Sequence, residues 1–238
     1  MPIFIGGGQL LIKSASEQLG LSAFSELGKA LGIEPRLMEQ YARSYQDYGA
    51  ALKVVSTQLE ILDEELGHKQ GHSPIHSMES RLKTPESILE KMERKGYEKS
   101  LKGLSQVMDI AGVRVICPYE NDIYYLYDLI KASSSLSLIR ERDYVKKPKS
   151  NGYRSLHLIV GATVNLSTGP RMVPVEIQIR SIAMDLWASL EHELRYKSDR
   201  KLTMMDEAKL SMCARALEAV DKQMQNLFIT SGTDKATS

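Results

Sequence analysis

The chain has 238 residues, 42% of them hydrophobic, and a formal net charge of +1, which suffices for one substantial α/β domain with helical extensions. A charge so near zero excludes a global field that draws the protein to nucleic acid or to anionic membrane, so any anion recognition must be local. No apolar run approaches the roughly 18 residues of a membrane span, no basic region precedes the N-terminal apolar stretch, and a cytoplasmic protein is expected. Cys117 and Cys213 lie far apart in apolar surroundings, and buried free thiols are expected rather than a disulfide.

Residues 1–36 form an N-terminal extension. Its Gly6-Gly7-Gly8 run lacks the Gly-Lys-Ser/Thr of a phosphate loop and reads as a flexible tail. A short helix over Ser22 to Leu31 ends at Gly32. From Leu37 onward, Tyr41, Tyr45, Tyr48, Leu52, Val55, Leu59, Leu62 and Leu66 recur at spacings of four and three, one apolar seam on a long helix. Such a seam serves either the core or an oligomer contact, and core packing is favoured. Residues 67–78, GHKQGHSPIHSM, read as a linker. His68, His72 and His76 have the four-residue spacing of a helical metal site, but Gly71 and Pro74 break that helix, and no metal is expected there.

The next helix starts at Pro85 with Thr84 as N-cap and stops at Gly96. Ile88, Leu89 and Met92 face inward, while Ser87, Lys91 and Arg94 share another face. With Arg81 and Lys83 just upstream, that face sits at a positive helix N-terminus and suits an anion. From Leu104 the order is helix, strand, helix, strand, loop, strand, turn, strand, helix. The strands are Gly112 to Cys117 (with Asp109 just before it), Leu136 to Asp143, Arg154 to Val164 and Val173 to Ser181. The last two form a hairpin about Ser167-Thr168-Gly169-Pro170. An amphipathic helix covers Asn121 to Ala132. Ser181 caps a helix through Trp187 to Lys197, a last helix covers Thr203 to Phe228, and residues 229–238 read as a disordered tail.

Chemistry concentrates in two places. The run RERDYVKKPKSNGYR, Arg140 to Arg154, packs six basic side chains, an Asn-Gly turn and two tyrosines between strands. The strand VPVEIQIRS then points Val173, Val175, Ile177 and Ile179 to one side and Glu176, Gln178 and Arg180 to the other, matched by Ser155 and His157 on the partner strand. A cationic loop facing a lone acid suits phosphates. If Asp109 lies across the sheet from Glu176, the two carboxylates suit magnesium, which takes its remaining oxygens from substrate phosphates and water. Tyr153 can present its ring to a planar base, a contact contributing about 1–3 kcal/mol.

The segments ESRLKTPESILEKM, DIAGVRVIC, ERDYVKKPKSNGYRSLH, VEIQIRS and DLWASLEHELRYK, in this order, closely resemble the synthetase domain of the RelA/SpoT family, over roughly residues 37 to 225. The chain looks like a stand-alone small alarmone synthetase, its synthetase domain with flanking helices spanning residues 37–228. The resemblance implies an α+β fold, a mixed sheet of about five strands flanked by helices and related to nucleotidyltransferases. It implies transfer of the β,γ-diphosphate of ATP to the 3′-hydroxyl of GTP or GDP, giving AMP and (p)ppGpp. Carried over motif by motif, Arg81, Lys83, Ser87, Lys91 and Arg94 hold ATP, and Arg114 helps to sandwich the adenine. Asp109 binds Mg2+; Glu176 activates the 3′-hydroxyl and shares the metal. Arg142, Lys147, Lys149, Asn151, Tyr153 and His157 form the guanine nucleotide side, with Gln178, Arg180 and Glu191 in support. A homotetramer is implied, and no alarmone breakdown.

Two rival readings use the same residues. A single-stranded RNA binder would need the basic loop and Tyr153 but neither acid, and its affinity would fall steeply with salt. A non-catalytic guanine-nucleotide sensor would need the binding groups alone.

Overall fold

The computed structural model describes residues 24–25, 28–29, 32–70, 72–196 and 202–233. The expectations for residues 1–23, including the Gly6-Gly7-Gly8 run, and for residues 234–238 lie outside the described residues. Helix α1 (Pro35–Gln70) is followed by β1 (Ser77–Leu82), α2 (Pro85–Lys95), α3 (Leu101–Ser105), β2 (Ala111–Cys117), α4 (Glu120–Ala132), β3 (Leu136–Asp143), β4 (Leu156–Leu166), β5 (Gly169–Ser181), α5 (Ile182–Tyr196) and α6 (Met204–Thr233). The five strands form one sheet in the order β1-β2-β5-β4-β3. β2 and β5 run parallel and the other neighbours antiparallel. The mixed sheet with flanking helices is thus the expected architecture.

One face of the sheet carries the core. Val113 and Val115 of β2, Leu158 and Val160 of β4, and Val175, Ile177 and Ile179 of β5 pack with Tyr41, Tyr45, Val55 and Leu59 of α1, and with Ile123, Leu126 and Ile130 of α4. The helical period of three and four puts the α1 side chains in one line, and the helix packs on β1, β2, β5 and β4. The seam therefore serves the core. Phe24 is also part of it, packed edge-on against Tyr41 and Tyr45. The described residues 24, 25, 28 and 29 are helical, and Gly32 closes that turn at φ 64°, a left-handed cap that glycine adopts without steric cost. Cys117 is buried; Cys213 is exposed, contrary to expectation, because it lies on the outer side of α6.

Several boundaries differ from the expected ones. The stretch read as a linker is divided: α1 runs on to Gln70, and Ser77 already belongs to β1. β1 escapes the sequence pattern because it is an edge strand whose burial alternates only between exposed and intermediate. β4 starts at Leu156 rather than Arg154. The Arg154 side chain turns inward instead, donating to Val145 O and pairing with Glu120 and Glu218. The hairpin turn shortens to Ser167-Thr168, because Gly169, at φ 111°, already opens β5. α6 continues past Phe228 to Thr233, so the first residues assigned to a disordered tail are helical. The Thr84 cap, the Gly96 stop and the Ser181 cap are as expected, with Ser181 Oγ accepting from Met184 N at 3.2 Å.

Candidate active site

Side chains alternate across a strand, so the sheet face turned away from α1 collects the polar residues. The strand register sets Glu79, Arg114, Gln178, His157 and Arg142 side by side across all five strands, with Arg81, Gly112, Glu176, Ile159 and Arg140 in the adjoining line. The parallel pairing of β2 with β5 is what brings Arg114 beside Gln178 and Gly112 beside Glu176. A Cβ at Gly112 would meet only the Glu176 backbone oxygen, at 3.8 Å. The floor between Arg81 and Glu176 is therefore open.

Asp109 stands at the edge of this floor, two residues before β2. One carboxylate oxygen, Oδ2, accepts from Lys83 Nζ at 3.0 Å and from Lys91 Nζ of α2. The other, Oδ1, is buried without a hydrogen-bond partner among the described residues. Burial pushes the Asp109 pKa up, but the hydrogen bonds and charges of Lys91 and Lys83 outweigh it, and the net shift is downward. Asp109, Arg81, Lys83, Gly112, Arg114, Glu176 and Gln178 line one cleft. The two acids thus face the same space, and the charge of Asp109 is felt at Glu176.

Glu176 is held on both oxygens. Oε1 lies 3.1 Å from His157 Nδ1, and Oε2 accepts from Gln178 Nε2 at 2.8 Å. Burial raises its pKa, the bonds from His157 and Gln178 lower it, and the net shift is again downward, so the carboxylate is ionised at neutral pH. Beyond it, His157 Nε2 meets the Tyr153 hydroxyl at 2.8 Å, and Arg180 Nη2 donates to that hydroxyl and to Gln178 Oε1. Arg180 is anchored in turn by Asp185, in the first turn of α5.

The other residues singled out in the sequence sort by position. Ser87 lies in the first turn of α2, its amide donating to Thr84 Oγ1. Arg94, exposed in the last turn of α2, is not a wall of the cleft. Arg142 sits opposite His157 on β3. Lys149 Nζ lies 4.7 Å from the ring centre of Tyr153 and 4.8 Å from that of Tyr144. The Arg180 guanidinium also lies 5.2 Å from the Tyr153 ring, so a base stacked there would share the ring with cations already in place. Asn151 bonds Glu191, and Lys147 is exposed in the turn after β3. The sequence reading missed Glu79, hidden in the unrecognised β1, and Asp185. An acid in the first turn after the Ser181 cap is the signal that could have found Asp185.

Among the described residues no three His, Cys, Asp or Glu side chains group as a metal site. A hard divalent cation needs less, since one or two carboxylates plus phosphate oxygens suffice. The Oδ1 of Asp109, with no hydrogen-bond partner among the described residues, leaves a carboxylate oxygen for such an ion. The oxygens of Glu176, each already taking an N–H bond, fit it less well.

Residues 80–201 match the family model described as a region found in RelA/SpoT proteins. The chain is 40% identical over 189 residues to the GTP pyrophosphokinase YwaC of Bacillus subtilis, spanning 79% of this chain and 90% of that protein. It is 32% identical over 192 residues to YjbM of the same organism, also a GTP pyrophosphokinase, spanning 81% and 87%. Among solved structures, the small alarmone synthetase 2 of Bacillus subtilis superposes with a TM-score of 0.74 at 38% identity, covering 81% of this chain and 100% of the other. The small alarmone synthetase 1 of that organism, bound to its product pppGpp, gives 0.73 at 32% identity, covering 79% and 96%.

Proposed function

The chain belongs to the RelA/SpoT family, and from that premise we propose that it is a GTP/GDP diphosphokinase. It moves the β,γ-diphosphate of ATP to the 3′-hydroxyl of GTP or GDP and releases AMP and (p)ppGpp. The observation that carries this reading is the placing of Asp109 and Glu176 on one cleft walled by Arg81, Lys83 and Arg114. Binding RNA, or sensing a nucleotide, requires neither acid.

The chemistry is an in-line displacement at phosphorus, governed by positioning and charge neutralisation. Arg81, Lys83 and Lys91 bind the ATP phosphates, aided by Ser87 at the α2 N-terminus and by Arg94, and Arg114 packs on the adenine. Lys147, Lys149 and Arg142 hold the acceptor phosphates; Asn151, Tyr153 and His157 orient the guanine nucleotide. Glu176 takes the proton from the 3′-hydroxyl as its oxygen bonds to the β-phosphorus. The bond from that phosphorus to the α,β-bridging oxygen breaks, and its electron pair leaves with AMP. Magnesium would be held by Asp109, with Glu176 on the same cleft, and would supply further neutralisation of the charge that builds on the phosphate oxygens.

Incubating the protein with ATP, GTP and magnesium should yield equimolar AMP and a guanosine pentaphosphate, resolved by anion-exchange chromatography. ADP as the sole adenine product would exclude diphosphate transfer. A homotetramer in the cytoplasm completes the reading. Its support is the exposed Ile182, Leu186, Leu190 and Leu194, one stripe at four-residue spacing along α5. Light scattering should give the mass of four chains; a monomer at micromolar concentration would remove this part.

A further inference from the structure

Five side chains close a ring of hydrogen bonds around the acid assigned as base. Glu176 meets His157, His157 meets Tyr153, Tyr153 and Gln178 both meet Arg180, and Gln178 returns to Glu176. The proton direction around this ring is fixed by its charged members. An arginine can only donate. The two hydrogens on Arg180 Nη2 go to the Tyr153 oxygen at 2.8 Å and to Gln178 Oε1 at 3.0 Å. Gln178 is thereby turned so that its amide nitrogen donates to Glu176 Oε2. The ionised Glu176 can only accept, so in a neutral His157 it is Nε2 that accepts, taking the hydrogen of the Tyr153 hydroxyl. His157 then carries its hydrogen on Nδ1, which donates to Glu176 Oε1. Both donors that clamp the carboxylate trace back to one nitrogen of one guanidinium.

We propose that Arg180 is a positioning residue: through Tyr153–His157 on one side and Gln178 on the other, it sets the direction in which the Glu176 carboxylate faces the acceptor hydroxyl. Its own placement is rigid. Arg180 is buried on β5, and its other terminal nitrogen donates to Asp185 at 3.1 Å. The orientation of the base is therefore referred to the first turn of α5. A lysine has no planar fork and cannot serve Asp185, Tyr153 and Gln178 together.

This inference rests on the diphosphokinase reading, so its test has an arm that is independent of turnover. Selective 15N labelling of histidine in the full chain should show His157 with a hydrogen-bonded Nδ1–H, slow to exchange, and an unprotonated Nε2. That pattern should be lost in Tyr153→Phe, which keeps the ring and removes only the hydroxyl link, and in Arg180→Gln. In steady-state assays both variants should lose kcat by about tenfold or more, yet by less than the roughly 10²–10⁴-fold expected for the base itself, with KM for ATP unchanged. Arg180→Lys should resemble Arg180→Gln, and the Tyr153→Phe/Arg180→Gln double variant should be no worse than Arg180→Gln. Full kcat in Tyr153→Phe or in Arg180→Lys would overturn the proposal, as would a wild-type His157 protonated on Nε2 alone. If the unaltered protein made no product, the diphosphokinase reading would fail, and the imidazole signals would still decide the ring. Should Arg180→Gln not fold, Tyr153→Phe decides alone.

Discussion

Glu176→Gln should lower diphosphate transfer by about 10²–10⁴-fold, the range a positioned general base contributes, while ATP and GTP still bind. A ribose hydroxyl is a poor acid, and Glu176 is the one carboxylate on the open face of β5. Its net downward pKa shift keeps it ionised at neutral pH, so it can accept the proton. The amide keeps the volume of the side chain but cannot take that proton. It also sets an N–H against either His157 or Gln178, both of which donate to the native carboxylate. A modest loss of thermal stability should therefore accompany the kinetic defect. The checks are single-turnover AMP release beside calorimetric titration of each nucleotide. Wild-type turnover in this variant would remove Glu176 from the mechanism.

Asp109→Asn should act through the metal rather than the proton. In the free protein Asp109 balances Lys83 and Lys91 while its second oxygen has no hydrogen-bond partner among the described residues. Asparagine removes the negative charge and leaves both ammonium groups free for phosphate. Affinity for ATP in the presence of a chelator should hold or rise, and the gain in affinity on adding magnesium should disappear. Turnover should fall by at least about 10²–10³-fold, the loss typical when one electrostatic stabiliser of the transition state is removed. Titrations of ATP with and without magnesium read the two effects separately. An undiminished magnesium response in the variant would place the ion elsewhere.

The two acids were legible in the sequence for different reasons than their meeting was. Glu176 stands out because β5 alternates valine and isoleucine with polar residues, and alternation records which face is buried. The seam of α1 is legible for the same reason at helical period, as Tyr41, Val55 and Leu59 confirm by their burial. Which strands adjoin is a different matter. The parallel contact of β2 with β5 joins segments some sixty residues apart, Gly112 against Glu176, and no local pattern encodes it; the family resemblance, not the periodicity, supplied the expectation. β1 was missed because an edge strand needs no apolar face on its solvent side, so Ser77, Glu79 and Arg81 gave it the look of a loop.

The basic loop shows the opposite failure. Composition counted Arg154 among cations facing a ligand, yet it is buried and spent on Glu120 and Glu218. Lys149 and Tyr153, read as separate phosphate and base contacts, lie against each other. Composition gives the charges that a segment carries, whereas only tertiary packing decides which of them are already paired.

The central claim is that one cleft passes an intact diphosphate from an adenine to a guanine nucleotide. ATP labelled at both the β- and γ-phosphorus, incubated with GTP and magnesium, tests it most directly. Both labels should arrive together on the 3′-oxygen of the guanine nucleotide, with unlabelled AMP formed in equal amount. Transfer of the γ-label alone, or no label on the guanine nucleotide, would contradict the account.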